Sequence, residues 1–349
     1  MLSLPEDYGL DEEQTLAFTV DDDPPAGFEA FWSAFREEIA ALPSTWRGTV
    51  DGSLGQLMIE SVRGVRVIAR LSMPTPKPRA VVITTHGPPD RPAEWSPERL
   101  LLTALTGEPD VFPAAPEPWS EAGLATLRLA VRGYPPSTMD IDDLRPDWIL
   151  TKLGLADSWV VRGAAADVVQ AYRCARRYFG PAMPIGLHGE SLGGGLVVIA
   201  AAQLAAMDDE PFRMVLAHPD LGAWRWRSEQ YCGGPGGRVN ERLTAMREDG
   251  PAVLETMLLY DAVFHARRLR CPTLCKLACR DDIVPAAAAA AVFNAIAGER
   301  KWRYRTACGH FDGGLEDARR HRNFTQINSR FLDPTIEPEE AIGGGDGGA

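Results

Sequence analysis

A serine stands at the centre of Gly189-Glu190-Ser191-Leu192-Gly193, a G-x-S-x-G turn, and its flanks restrict what the chain can fold into. Pro184-Ile185-Gly186-Leu187-His188 is a short apolar run suited to a buried strand. Leu196-Val197-Val198-Ile199-Ala200-Ala201-Ala202 reads as a buried helix despite its β-branched residues. Strand, sharp turn and helix together form a nucleophile elbow, which strains the serine backbone and offers its hydroxyl at the carboxyl end of a sheet. The glycines let strand and helix pass without a side-chain clash. The plainer account, a serine in a glycine-rich turn, is tested by whether the rest of the chain supplies partners for that hydroxyl.

The remaining elements agree with a mostly parallel sheet covered by helices on both faces. Gln56 to Arg63 and Val65 to Ser72 predict two antiparallel strands joined at Gly64, and Ala80 to Thr85 a central buried strand. Leu124 to Val131, Met214 to Ala217, Pro272 to Ala278 and Trp302 to Thr306 are further strands. Phe28 to Leu42, Leu150 to Phe179, Arg238 to Ala266 and Ala286 to Ala297 are predicted to be helical. Residues 1–23 carry acidic runs and read as an extended surface arm. Residues 24–332 read as one domain, within which 88–118 form a proline-rich insertion or cap-like loop. Residues 333–349 end in a glycine-rich run and are expected to be disordered.

Charge narrows the partners. With 48 acidic against 36 basic residues the net charge is -12, which repels phosphate backbones and anionic lipid; neither nucleic acid nor membrane is an expected partner. The amino terminus has no basic region leading into an apolar run, so a cytoplasmic protein is expected. Six cysteines include no C-x-x-C pair, and the expectation is buried reduced thiols with no metal.

A serine hydroxyl needs a base, and the base needs a carboxylate to fix its tautomer. On an elbow of this kind the chain order is serine, acid, histidine. Of the histidines after Ser191, His310 follows the last predicted strand and fits as base. His321 lies in a basic helical run and reads as solvated, His265 as surface or core, and His218 precedes the acid candidates. Asp281-Asp282 ends the preceding strand; Asp281 is the acid candidate, and one residue of the pair can instead cap the next helix. For the oxyanion, Leu192 supplies a backbone N–H. The second donor falls to His86-Gly87-Pro88-Pro89, where Pro88 has no N–H and Gly87 does.

These residues, in their order and spacing, resemble the acetyl xylan esterase / cephalosporin C deacetylase family (carbohydrate esterase family seven) of α/β-hydrolases. The likeness spans about 24 to 332. It rests on Phe28-x-x-Phe31-Trp32, Arg132-Gly133-Tyr134, Gly154-Leu155-x-Asp157 with Arg162 and Asp167, Ser191-Leu192-Gly193-Gly194-Gly195, Asp261-Ala262, Asp281-x-x-x-Pro285 and Gly309-His310. It implies an α/β-hydrolase fold and serine-dependent hydrolysis of small acyl esters, with Ser191 as nucleophile, His310 as base and Asp281 as orienting acid. It also implies no cofactor, a small-molecule ester substrate and a homo-oligomer, a hexamer by resemblance. Pro88, Leu192 and Tyr134 depart from the family's tyrosine, glutamine and glutamine, so substrate choice does not follow from the likeness. Two alternatives stay open: a serine peptidase of prolyl-oligopeptidase type, suggested by His86-Gly87-Pro88, and a non-hydrolytic binding protein on the same fold.

Overall fold

The computed structural model describes residues 8–75, 77–85, 119, 122–134, 136–137, 147–310 and 313–343. Elements are numbered here in chain order within that set. Nine strands form one sheet: β1 (Trp46–Asp51), β2 (Leu54–Glu60), β3 (Arg66–Ser72), β4 (Val81–Thr85), β5 (Ala125–Ala130), β6 (Ile185–Glu190), β7 (Met214–Ala217), β8 (Thr273–Arg280) and β9 (Lys301–Cys308). Their order is β1-β2-β3-β5-β4-β6-β7-β8-β9. The first three are antiparallel, and β3 pairs antiparallel with β5. From β5 to β9 every pairing is parallel. The chain runs from β4 to β5 on one side, then returns to β6 on the other. That reversal opens a crevice at the carboxyl ends of β4 and β6, where open α/β sheets place their ligands.

Alternation along the strands builds two cores. Val81, Ile83, Leu187, Met214, Leu216, Cys275 and Leu277 face one core with α2 (Phe28–Ala40), α3 (Val160–Phe179) and α4 (Leu192–Ala205). Val82, Val215, Ala217 and Leu274 face the other, covered by Phe324, Ile327 and Phe331 of a helix near the carboxyl terminus. Every residue of α4 from Leu192 to Leu204 is buried, as its all-round apolar sequence requires. One strand and one helix expectation change. β1 was missing from the sequence reading because five of its six residues are exposed, leaving no apolar alternation to see. The stretch from Leu150 to Trp159 forms a 3-10 turn and loop, and the helix begins only at Val160.

Both chain ends depart from their expectations. The 1–23 arm is not extended throughout: Glu12–Ala17 forms α1, capped by Asp11, whose carboxylate accepts the Gln14 N–H while Gln14 returns the bond. Asn294 ties it down by donating to the carbonyls of Leu16 and Phe18, and Glu12 pairs with Arg305. The acidic composition hid this docking, since only Thr15 and Leu16 are buried. Within 333–349, residues Pro338–Gly343 form a helix with Pro338 and Ala341 buried. Arg213 anchors that segment through the carbonyls of Phe331, Asp333 and Ile336. The glycine-rich run beyond Gly343 lies outside the described residues, as do 88–118.

One buried ionic knot fixes the loop after β5 against α3. Arg132 grips Asp167 through Nη2 at 2.7 Å and Nε at 3.1 Å, and its own backbone N–H donates to the same carboxylate at 2.8 Å. Ser61 adds a donor at 2.5 Å, joining β2 to the knot. Asp167 is fully buried and Arg132 nearly so. Removing one partner of such a pair strands the other's charge. Asp167→Ala is therefore expected to lower the unfolding free energy by about 3–5 kcal/mol, measured by urea titration.

Candidate active site

Ser191 sits between β6 and α4 with φ 55° and ψ -126°, a conformation side chains other than glycine's rarely adopt. The strain is held by neighbours. Its N–H donates to the Ala217 carbonyl at 2.8 Å, and its carbonyl accepts from Asp220 at 3.0 Å and Gly195 at 3.2 Å. The glycines have a steric reason. A methyl at Gly189 would overlap the Gly193 carbonyl, and one at Gly195 the carbonyl of Asp220. Leu192 is the first residue of α4, so its free N–H lies at the positive end of that helix.

Asp281 follows β8 and is fully buried. Its Oδ1 accepts the backbone N–H groups of Ile283 at 2.9 Å and Val284 at 3.1 Å, leaving Oδ2 free to face His310 Nδ1 at 2.7 Å. The expectation that one acid of the pair caps the next helix is corrected: Asp281 closes its own turn with one oxygen and faces His310 with the other. The following helix (α5, Ala286–Ala295) starts from Pro285 with no side-chain cap. His310 lies just past β9 and points Nε2 at Ser191 Oγ, 2.9 Å away. Serine, histidine and aspartate, 119 and 29 residues apart in pairs, form one continuous hydrogen-bonded row.

The electrostatics of His310 favour a base. Burial pulls its pKa down, but the hydrogen bond and charge of Asp281, with Glu190 and Asp220 behind, outweigh burial and leave it above the ordinary imidazole value. Since Asp281 accepts only, Nδ1 carries a proton and Nε2 is free to take one from Ser191. The row can therefore generate an alkoxide-like nucleophile and return a proton to a leaving group.

Other expected site residues lie apart or out of view. Gly87 and Pro88 lie outside the described residues. Tyr134 is buried, its ring 5.4 Å from that of Trp148, whose indole N–H donates to the Arg132 carbonyl. His265 is a core residue bonded to Gln203 and the Leu259 carbonyl. His321, read as solvated, is half-buried: its side chain is 31% exposed, and Nδ1 lies 3.0 Å from Lys276 Nζ. His218, set aside because of its chain position, lies at the end of β7 with its ring 5.7 Å from that of His310. Chain order excludes it as the base but says nothing about where its side chain turns.

Space around the row is tight at Gly309, where a methyl would overlap the Asp281 carboxylate. Gly309→Ala is expected to push Asp281 off His310 and slow Ser191 labelling by a fluorophosphonate about 100-fold, followed by intact-protein mass spectrometry.

The family model described as acetyl xylan esterase matches residues 7–326. The fold is similar to that of an acetyl xylan esterase from Paenibacillus sp. R4, with a TM-score of 0.70 at 19% identity over 90% of this chain and 99% of that one. Acetyl xylan esterase 1 from Thermoanaerobacterium sp. JW/SL YS485 gives 0.68 at 19% identity, covering 89% and 97%. A Pyrococcus horikoshii acylaminoacyl peptidase gives 0.53 at 12% identity, covering 85% of this chain and 44% of that one. At such identities these likenesses are of fold, which is that of an α/β-hydrolase. No curated protein sequence matches the chain.

Proposed function

Because the chain belongs to the acetyl xylan esterase family, and is thereby a carboxylic ester hydrolase, we propose that it cleaves short-chain, acetyl-like esters through an acyl-enzyme on Ser191. The observation that carries this reading is the row Ser191 Oγ, His310 Nε2, His310 Nδ1, Asp281 Oδ2, with spacings of 2.9 and 2.7 Å across the two hydrogen bonds.

In this reading His310 Nε2 takes the Ser191 proton as Oγ attacks the ester carbonyl. Asp281 holds the ring and stabilises the imidazolium. Collapse of the tetrahedral intermediate expels the alcohol, which takes the proton from His310, and the acyl group stays on Ser191. Water then enters, gives its proton to Nε2 and attacks the acyl carbon; the second collapse releases the acid and reprotonates Ser191. The Leu192 N–H serves as one oxyanion donor. The second is assigned to Gly87, the residue before Pro88 that still has an N–H. Support comes from the register: Thr85 pairs with Gly189, so the chain leaves β4 beside the elbow. Tyr134 is assigned to the wall behind the loop after β5. The acyl size follows the names of the structural relatives, which are acetyl xylan esterases.

The homo-oligomer belongs to the same proposal. Light scattering is expected to give a mass six times that of the 38.0-kDa chain. The assay that decides the chemistry uses p-nitrophenyl acetate beside an aminoacyl-amide reporter. Ester turnover is expected, with Ser191→Ala about a million-fold slower. Amide release without ester turnover would point to a peptidase, and equal rates in wild type and Ser191→Ala would sink the reading.

The pH dependence has a fixed sign. His310 works as a base only when unprotonated, so kcat/KM falls as pH drops through its pKa. Asp281 holds that pKa above the ordinary value, placing the acid limb correspondingly high. Asp281→Asn is expected to move the limb to lower pH and reduce kcat about ten-thousand-fold, measured as a pH–rate profile.

A further inference from the structure

Behind the Ser191–His310 pair runs a second series of ionisable side chains that the proposed chemistry does not use. Glu190 ends β6, one residue before the nucleophile. Lys276 lies in β8, the strand that leads to Asp281. Asp317 and His321 lie one turn apart on α6 (Gly314–Phe331), the helix after His310. Glu190, Ala217 and Lys276 stand in register across three strands, and the small alanine lets the outer pair meet. Lys276 Nζ is 3.3 Å from Glu190 Oε1 and 3.0 Å from His321 Nδ1. An ammonium only donates, so Nδ1 accepts and the His321 proton is on Nε2. That nitrogen lies 3.8 Å from Asp317 Oδ2. Asp317 accepts the backbone N–H groups of Ala307 and Cys308, both at 2.8 Å. Cys308 is two residues from His310.

The series thus starts at the residue beside the nucleophile, crosses the strand of the acid and ends on the backbone that carries the base. Its chemistry is out of place in this layer. Lys276 is 6% exposed by side chain among Leu274, Val215 and Ala217, with the Phe324 ring 5.3 Å from Nζ. Lysine is seldom buried unless paired, and an aliphatic residue would fill this face at lower cost. The series also borders His218, whose imidazole is 1% exposed with both ring nitrogens lacking a hydrogen-bond partner among the described residues.

The geometry points to a brace: Glu190, Lys276, His321 and Asp317 hold the three elements bearing Ser191, Asp281 and His310 in one register, and Lys276 is its central positioning residue. This rests on the triad reading above. The groups that face His310 are Asp281 after β8, Glu190 from β6, and Asp220 and His218 after β7, with His321 from α6 behind His218. In the intact brace Lys276 offsets the negative charge of Glu190.

The experiment compares Lys276→Met, Lys276→Arg, Glu190→Gln and the Glu190→Gln/Lys276→Met double variant. Lys276→Met is expected to lower kcat on p-nitrophenyl acetate about tenfold with KM within about twofold. Its acid limb should rise by about half a pH unit, because Glu190 then stabilises the imidazolium unopposed. The double variant is expected to return the limb while kcat stays low, and Lys276→Arg to recover kcat to within about threefold of wild type. A structural defect alone would not produce a limb shift that a second charge removal reverses. Wild-type kcat and limb in Lys276→Met overturn the brace, as does a shift that the double variant leaves in place. Should Lys276→Met fail to fold, Glu190→Gln alone decides: its limb falls by about half a unit, and an unmoved limb overturns the proposal. Ser191 labelling by a fluorophosphonate is followed in parallel. A wild type that labels but turns over no ester refutes the ester reading, and labelling rates then carry the brace test. A wild type that does neither removes both.

Discussion

The turn at Ser191 is the constraint on which the other parts depend. A β-strand and a helix can meet at so sharp an angle only if the residue between them takes a left-handed φ, and serine takes it at a cost of about 1–3 kcal/mol. The surroundings supply the compensation. The segment Ala217 to Asp220 hydrogen-bonds the serine backbone on both sides, and three glycines remove the side chains that would block closure. The residues flanking the nucleophile are therefore fixed by backbone geometry, which leaves little freedom for anything but its hydroxyl.

That constraint explains which parts of the protein were legible in its sequence. Parallel strands buried on both faces must be continuously apolar, so Val81 to Thr85 and Met214 to Ala217 announced themselves. From the elbow, chain order pointed to His310 and Asp281, and the two side chains lie in one hydrogen-bonded row with Ser191. What escaped was not governed by period. β1 is an exposed edge strand without alternation. α1 is a single capped turn and a half in an acidic stretch, held by Asn294 and Arg305 from elsewhere in the chain. Lys276 sits in the run Leu274-Cys275-Lys276-Leu277, where nothing local says that its charge would find Glu190 and His321 across the sheet.

Tertiary contacts also changed the meaning of residues whose presence was obvious. Arg319-Arg320-His321-Arg322 looks like a solvated basic face, and its arginines answer to that description. The helix nonetheless turns His321 inward, toward Lys276, because Asp317 one turn earlier is bound to the backbone ahead of His310. Two hydrogen bonds set the rotation of that helix end. Asp281 shows the same point at smaller scale: a carboxylate that could equally cap a helix divides its two oxygens between its own turn and the histidine.

Three imidazoles lie together here, and their surroundings assign them different protonation behaviour. His310 is paired with a buried carboxylate, which outweighs its burial and holds its pKa above the ordinary imidazole value. His218 has burial against it and the positive neighbours Lys276, His310 and His321 besides, all pushing it well below its ordinary value. His321 is lowered by burial and by Lys276, with Asp317 and Glu190 recovering only part of the loss. If either neighbour took a proton, its charge would oppose the imidazolium that the proposed acyl transfer forms on His310. Keeping both neutral reserves the transferable proton for the one ring aligned with Ser191. Groups of one type driven apart in pKa by their environment are the means by which a single fold assigns acid–base roles. In this chain the separation is set by Asp281 at His310 and by burial, with Lys276 adding to it, at His218 and His321.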